Sequence, residues 1–284
     1  MRKICTILFL LPLQIFAQDV PSTDVPAKYV RPKYYEIGAG LNFSSFIDFA
    51  TSPLTYTGVS GQYTIGTLRK DAKQENGFSM RYSSGTYIQS ANTYEKTPSK
   101  VNTFFFNYAR LYRLEKLSPG KWNFKVGAAV DVSGNLRQNP SLLNAGVGLE
   151  TFQTLFATAK ITRDISRKEL KNRKFLFIRY KKRPVTRDLS FQLSPSVINS
   201  NLRNGYSYIG QSAVAGENQL FDNYKFSAFS GFRIKTALEY TRYLKNGNGI
   251  KYAYLWDAYK TGGSLPGFQM SNHIIQASLL FRIK

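Results

Sequence analysis

From Tyr34 to the end of the chain, apolar and polar positions alternate with a period of two. That spacing sends successive side chains to opposite faces of a β-strand. The pattern predicts ten strands, at Tyr35–Phe43, Thr55–Thr67, Phe78–Ile88, Val101–Leu114, Trp122–Val132, Ala145–Ile161, Leu189–Val197, Phe226–Tyr240, Ile250–Ala258 and His273–Ile283. In the fourth, the run Phe104-Phe105-Phe106 leaves the facing open. Short or charged connections (Arg69–Asn76, Glu115–Lys121, Lys245–Gly249) alternate with longer ones (Gln89–Lys100, Gly134–Leu142, Asn199–Tyr224, Tyr259–Ser271). An up-and-down antiparallel meander has this order. Thr162–Arg187 breaks it, being long and very basic on the short-turn side.

The charges sort by face. Leaving out the fourth strand, the apolar parity holds no charged residue. The interleaved positions hold Glu36, Arg81, Lys125, Asp131, Glu150, Lys160, Arg233, Lys235, Glu239, Lys251, Asp257 and Arg282. Four strands carry more than one charge, and in each the further charges fall on the same side as the first. The apolar parity is rich in rings near the strand ends, among them Tyr35, Phe43, Trp122, Tyr240, Trp256 and Phe281. Rings at those places suit the two interfaces of a bilayer. The runs are also longer than the ~5–6 residues usual in soluble strands and reach the ~9–11 that cross a bilayer at a tilt. The expected fold is all-β: a transmembrane antiparallel up-and-down β-barrel of about ten strands, apolar face to lipid and charged face to the interior. Twelve strands result if Lys174–Tyr180 adds one and either Phe226–Leu244 splits or Tyr206–Ile209 is used. A soluble β-sandwich or lipocalin-like barrel, with the faces reversed, is the competing architecture.

Ahead of the barrel, Arg2 and Lys3 precede an apolar run from Ile4 to Phe16, followed by Ala17 and Gln18-Asp19. Residues 1–17 therefore read as a secretory signal peptide, and 18–33, with Pro21, Pro26 and Pro32, as an irregular lead-in to a barrel over 34–284. Removing Arg2 and Lys3 takes the net charge from +22 to +20. The single cysteine, Cys5, leaves with the leader, so the remainder has no disulfide framework or thiol nucleophile. One histidine, His273, excludes a multi-histidine metal site. No metal and no cofactor are expected.

With these features the chain resembles the Gram-negative outer-membrane β-barrel proteins over about residues 34–284. The resemblance implies export to the outer membrane, both termini in the periplasm, and outer-membrane lipids, lipopolysaccharide and the barrel-assembly machinery as partners. In that class the last strand usually ends in an aromatic residue; here the chain ends Leu280-Phe281-Arg282-Ile283-Lys284, with the ring fourth from the end.

Seven basic and five acidic residues on the interleaved face predict a lumen closed by salt bridges, since unpaired charge is costly in a poorly hydrated interior. The expected role is structural or surface-interacting, not enzymatic. One alternative is a narrow, weakly anion-favouring pore along Arg233, Lys235, Lys251 and Arg282. Another is a lipid-modifying hydrolase on the exterior. Parity puts Ser45 and His273 outward at the loop ends of the first and last strands, with Asp48 available to orient the imidazole; a serine beside a histidine base is a sensible nucleophile. No Gly-x-Ser-x-Gly elbow or phosphate-cradling Gly-rich loop accompanies them. Arg163–Arg187 holds eleven Lys/Arg against two acidic residues. Nucleic acid is not an expected partner of an exported barrel, whereas Lys174, Arg179, Lys181, Lys182 and Arg183 suit contact with anionic lipid headgroups.

Overall fold

A strand whose side chains alternate between apolar and polar needs two different surroundings, and a closed sheet in lipid supplies both. The computed structural model describes residues 32–89, 97–204 and 224–283. Its strands are β1 (Lys33–Asp48), β2 (Ser52–Lys70), β3 (Gln74–Gln89), β4 (Pro98–Arg113), β5 (Trp122–Gln138), β6 (Val147–Asp164), β7 (Lys171–Phe175), β8 (Ile178–Lys182), β9 (Thr186–Asn204), β10 (Tyr224–Ser227), β11 (Phe232–Tyr243), β12 (Gly249–Lys260) and β13 (Phe268–Ile283). Each of the ten expected strands has its counterpart. Residues 1–17, expected as a signal peptide, residues 18–31 of the expected lead-in, Tyr206–Ile209 and most of the longest loop lie outside the described residues.

Ten of these strands close a cylinder. Neighbours pair antiparallel in the order β1-β2-β3-β4-β5-β6-β9-β11-β12-β13, and β13 returns to β1. The closing seam is fully paired, from Lys33 opposite Ile283 to Asp48 opposite Phe268. Closure removes the free edges that make open sheets prone to self-association.

The material for a twelve-stranded barrel exists but is used differently. β7 and β8 form a separate two-stranded hairpin beyond the wall. The Phe226–Leu244 region does split, between β10 and β11, around Phe229 (φ 50°) and Gly231 (φ 83°). β10 pairs only with the upper end of β9, Tyr224 opposite Asn204 through Ser227 opposite Asn201. The cylinder therefore stays at ten.

The faces decide between lipid and a water-soluble core. Lys125 and Arg233 are each 1% exposed, while Leu279 is 49% and Phe232 54% exposed. The greasy side is outside. On β4 the triple phenylalanine resolves by the same parity: Phe104 and Phe106 face out, and Phe105 is buried inside. The exposed charges on that strand, Lys100 and Arg110, lie near its two ends, and the Arg110 guanidinium is 5.3 Å from the Tyr112 ring. A cation over an interfacial ring at the rim is compatible with a lipid-facing wall.

Candidate functional site

The interior is where the structure concentrates its chemistry. At the end carrying the strand β1 start, Lys70 of β2 reaches Asp188 of β9 at 3.0 Å, and Tyr243 donates to the same carboxylate at 3.3 Å. β2 and β9 stand on opposite sides of the ten-strand ring. Above them runs a chain of alternating sign. Lys125 lies 3.3 Å from Glu75, Glu75 lies 2.7 Å from Lys160, and Lys160 lies 2.7 Å from Glu239. Glu239 then faces Lys251 at 3.8 Å, and Lys251 holds Glu36 at 2.7 Å. Gln276 extends the chain by donating to Glu36 and accepting from Gln62 and Thr64.

The middle layer centres on Arg233. It binds Asp257 on the adjacent strand at 2.7 Å and Asp131 across the interior at 2.9 Å, and it donates to Ser133. Lys235 adds a second contact to Asp131 at 2.5 Å. Arg81 stacks 4.6 Å from the Phe105 ring centre, and among the described residues it forms no ion pair.

The loop-end layer joins charge to rings. Asp48 accepts from both Arg137 and Arg203, and Arg137 also binds Glu150. Both guanidiniums lie over Phe268, at 5.1 and 5.2 Å. Phe268 belongs to a buried cluster with Phe46, Tyr56, Tyr87, Val101, Phe152, Tyr259 and Met270. Asn135 and Asn139 of the opposite side donate to the hydroxyls of Tyr259 and Tyr56. Each buried charge in these layers thus meets an opposite charge, a ring or a hydroxyl, as a low-dielectric interior demands. Among the described residues, cavities of about 140 Å³ and 130 Å³ lie within these layers, and one of about 310 Å³ is lined by Ser45, Phe46, Tyr259, Met270 and Ser271 near the loop end. The first is lined by Arg81, Lys235 and Asp257 among others, the second by Lys70, Glu75 and Lys160; Glu36, Glu239 and Lys251 border the first two.

Of the twelve charges assigned to the interleaved face, eleven enter these layers. Arg282 does not. It is exposed at the mouth, its backbone N–H donates to Asn248, and its side chain lies against Gly247 of the β11–β12 turn. It is too close to the strand end to reach the lumen, so it cannot line a pore with Arg233, Lys235 and Lys251.

Five interior charges were within reach of the parity argument but lay beyond the expected strand limits. Lys70, Glu75, Arg137 and Asp188 continue the polar parity of β2, β3, β5 and β9 once those strands are lengthened to their full extent. Asp48 likewise continues the interior parity of β1. Arg203 is different. At Leu155/Phe156 the β6–β9 register shifts, Phe156 facing Ser196 and Leu155 facing Ile198, so Val197 is an extra residue. A bulge of this kind reverses the facing beyond it. Arg203 and Asn201 turn inward as a result, and no alternation count reveals it.

The exterior constellation does not assemble as expected. His273 faces out, but its Nδ1 lies 2.8 Å from the Tyr254 hydroxyl and its Nε2 3.5 Å from Ser271 Oγ. The strand residue opposite His273 is Phe43, and Ser45 stands opposite Ser271. Trp256 donates to Ser271 at 3.1 Å. Asp48 is 3% exposed and committed to two arginines inside the wall, so it cannot orient an imidazole outside it. Ser45, His273 and Asp48 form no catalytic triad.

The five basic residues of the long turn fall on or beside the β7–β8 hairpin. Lys174 and Arg179 pair across it in register, Lys182 is opposite Lys171, and Lys181 and Arg183 are exposed. No group of three or more His, Cys, Asp or Glu suited to a metal occurs among the described residues.

Comparison with known proteins adds the following. No family model matches the chain, and no curated protein matches it. Among solved structures it is similar to the transport unit of the autotransporter AIDA-I from Escherichia coli, at 6% identity and a TM-score of 0.44, over 90% of this chain and 91% of that one. It is also similar to Neisserial surface protein A (8%, TM-score 0.32, 88% and 97%) and to the translocator domain of autotransporter NalP from Neisseria meningitidis (9%, TM-score 0.36, 88% and 88%). All three are strand-built barrels of the outer membrane.

Proposed function

We propose that this chain is a closed outer-membrane barrel, an anchored scaffold with a structural or surface-interaction role and not an enzyme or an open pore. The observation that carries the reading is the set of ion pairs joining strands that are not neighbours: Lys70–Asp188, Lys160–Glu75, Arg233–Asp131, Arg137–Asp48 and Arg203–Asp48. Each is a brace across the space a solute would use. Severing one leaves a buried charge alone, at a cost of about 3–5 kcal/mol. The two cavities bordered by Glu36, Glu239 and Lys251 suit a few waters and fall below the ~300 Å³ of an ordinary ligand pocket. Residues 1–17 serve export, the end holding Lys33 and Ile283 faces the periplasm, and the barrel-assembly machinery, outer-membrane lipids and lipopolysaccharide are its partners in this reading.

Planar bilayer recording on the purified chain tests it. The expected trace shows insertion without discrete conductance steps. Reproducible single-channel steps from the unaltered protein would sink the closed reading in favour of the pore.

A further inference from the structure

The β7–β8 hairpin has features that nothing in the barrel requires. Residues 170–187 hold eight Lys/Arg and no Asp or Glu. The backbone register sets Lys171 opposite Lys182 and Lys174 opposite Arg179, so residues of like sign occupy opposed positions in a two-stranded ribbon. Such pairs are destabilising when directly opposed. A lone hairpin is also marginal in water on its own.

The tip is equally ill-suited to water. Leu176 is 73% and Phe177 85% exposed. Leu176 takes φ 53° in the two-residue turn, a left-handed conformation that suits glycine or asparagine and is disfavoured for leucine. An apolar side chain therefore sits where both strain and solvation argue against it.

The root of the hairpin says where it can reach. The β6–β9 ladder continues out of the wall through Asp164 opposite Asp188, then the Arg167–Val185 bridge. Arg167 secures this neck by donating to the Arg183 carbonyl at 2.6 Å. The arm thus starts from the lipid-facing wall at the end where the chain enters and leaves the barrel.

We propose that β7–β8 is a lipid-docking arm: its basic stem binds the anionic headgroups of the periplasmic leaflet, and Leu176-Phe177 enters the acyl boundary. A basic stem with an apolar tip is the combination that holds a segment at a charged interface. Anionic headgroups also answer the surplus positive charge of residues 170–187, and the leaflet accepts the exposed leucine and phenylalanine. An acidic protein would answer the charges but not the tip. The inference rests on the barrel being embedded in a membrane.

The test uses the full chain with Cys5→Ser and Leu176→Cys, labelled with acrylodan, in lipid nanodiscs. Discs contain phosphatidylcholine alone or phosphatidylcholine with phosphatidylglycerol. With phosphatidylglycerol, the emission should shift to the blue and be quenched by nitroxide lipids. Both effects should disappear in high salt and in the Lys181→Glu/Lys182→Glu/Arg183→Glu variant. A probe that stays in water in both discs, or shifts equally in both, overturns the proposal. So does a shift produced by soluble polyglutamate but not by the anionic disc, which would assign the arm to an acidic protein. Heat-modifiable gel mobility of the same samples reports the barrel separately: a chain that never enters the discs contradicts the barrel reading, whereas a folded barrel with an unshifted probe contradicts only the arm.

Discussion

Asp48 shows how a single residue can be read correctly for type and wrongly for place. Its position next to the first loop suggested a partner for His273, yet even-numbered positions of β1 turn inward and Asp48 is the last of them. There it is shared by Arg137 of β5 and Arg203 of β9, so one carboxylate ties three separated strands. Removing it leaves the Arg203 guanidinium over the Phe268 ring without a carboxylate and leaves Arg137 with Glu150 alone. Asp48→Ala should therefore lower stability by about 3–5 kcal/mol, the cost of breaking a buried pair. Asp48→Asn should recover little of it, since the missing element is charge. Urea titration in detergent, followed by heat-modifiable mobility, gives the midpoints. A loss within about 0.5 kcal/mol, as for an ordinary surface substitution, would mean that the two arginines are satisfied without it.

At the scale of one strand, alternation was enough to assign the lipid and lumen faces, because a barrel wall punishes errors on both sides. Val130, mid-way along β5 and 46% exposed, tests the outer side. Val130→Arg should cost about 2–4 kcal/mol, against about 0–1 for Trp122→Arg at the strand end, because the penalty for a lipid-facing cation depends on depth. Equal costs at both positions would remove the bilayer from the argument. What alternation could not deliver was the upper half of β9. The extra residue Val197 leaves no signature in the hydrophobic pattern, since Val197 is itself apolar and 62% exposed. Deleting it restores a continuous count while leaving residues 198–204 in their present register, Arg203 inward and Leu202 outward. That deletion should therefore destabilise the barrel less than Arg203→Ala, which loses the ion pair to Asp48 that the deletion keeps. Comparing the two unfolding midpoints settles the order.

For the whole molecule, the layers act in series along one axis. Near the loop end the packing is aromatic, with Phe46 stacked between Tyr56 at 5.1 Å and Phe268 at 6.1 Å. Half-way down it is ionic, with Arg233 and Lys235 reaching Asp131. The sequence pointed to the ionic layer through its balance of signs, but the aromatic layer was hidden because Phe46 and Phe268 lay just outside the expected strands, where rings read as interfacial. The closed barrel proposed above, with these layers as two barriers in series, makes a definite prediction. Phe46→Ala/Phe268→Ala alone should leave the bilayer trace silent, and so should Arg233→Ala/Asp131→Ala/Asp257→Ala alone, because each leaves the other layer shut. Combining the two sets should produce discrete steps. With Arg81 left facing the 140 Å³ cavity beside Lys235, those steps should favour anions, by the focusing of field in a narrow low-dielectric passage. Folding of every variant is checked by heat-modifiable mobility before recording. Steps from the aromatic pair alone would mean that the ionic layer is not a barrier, and the braces would then have to be explained by stability alone.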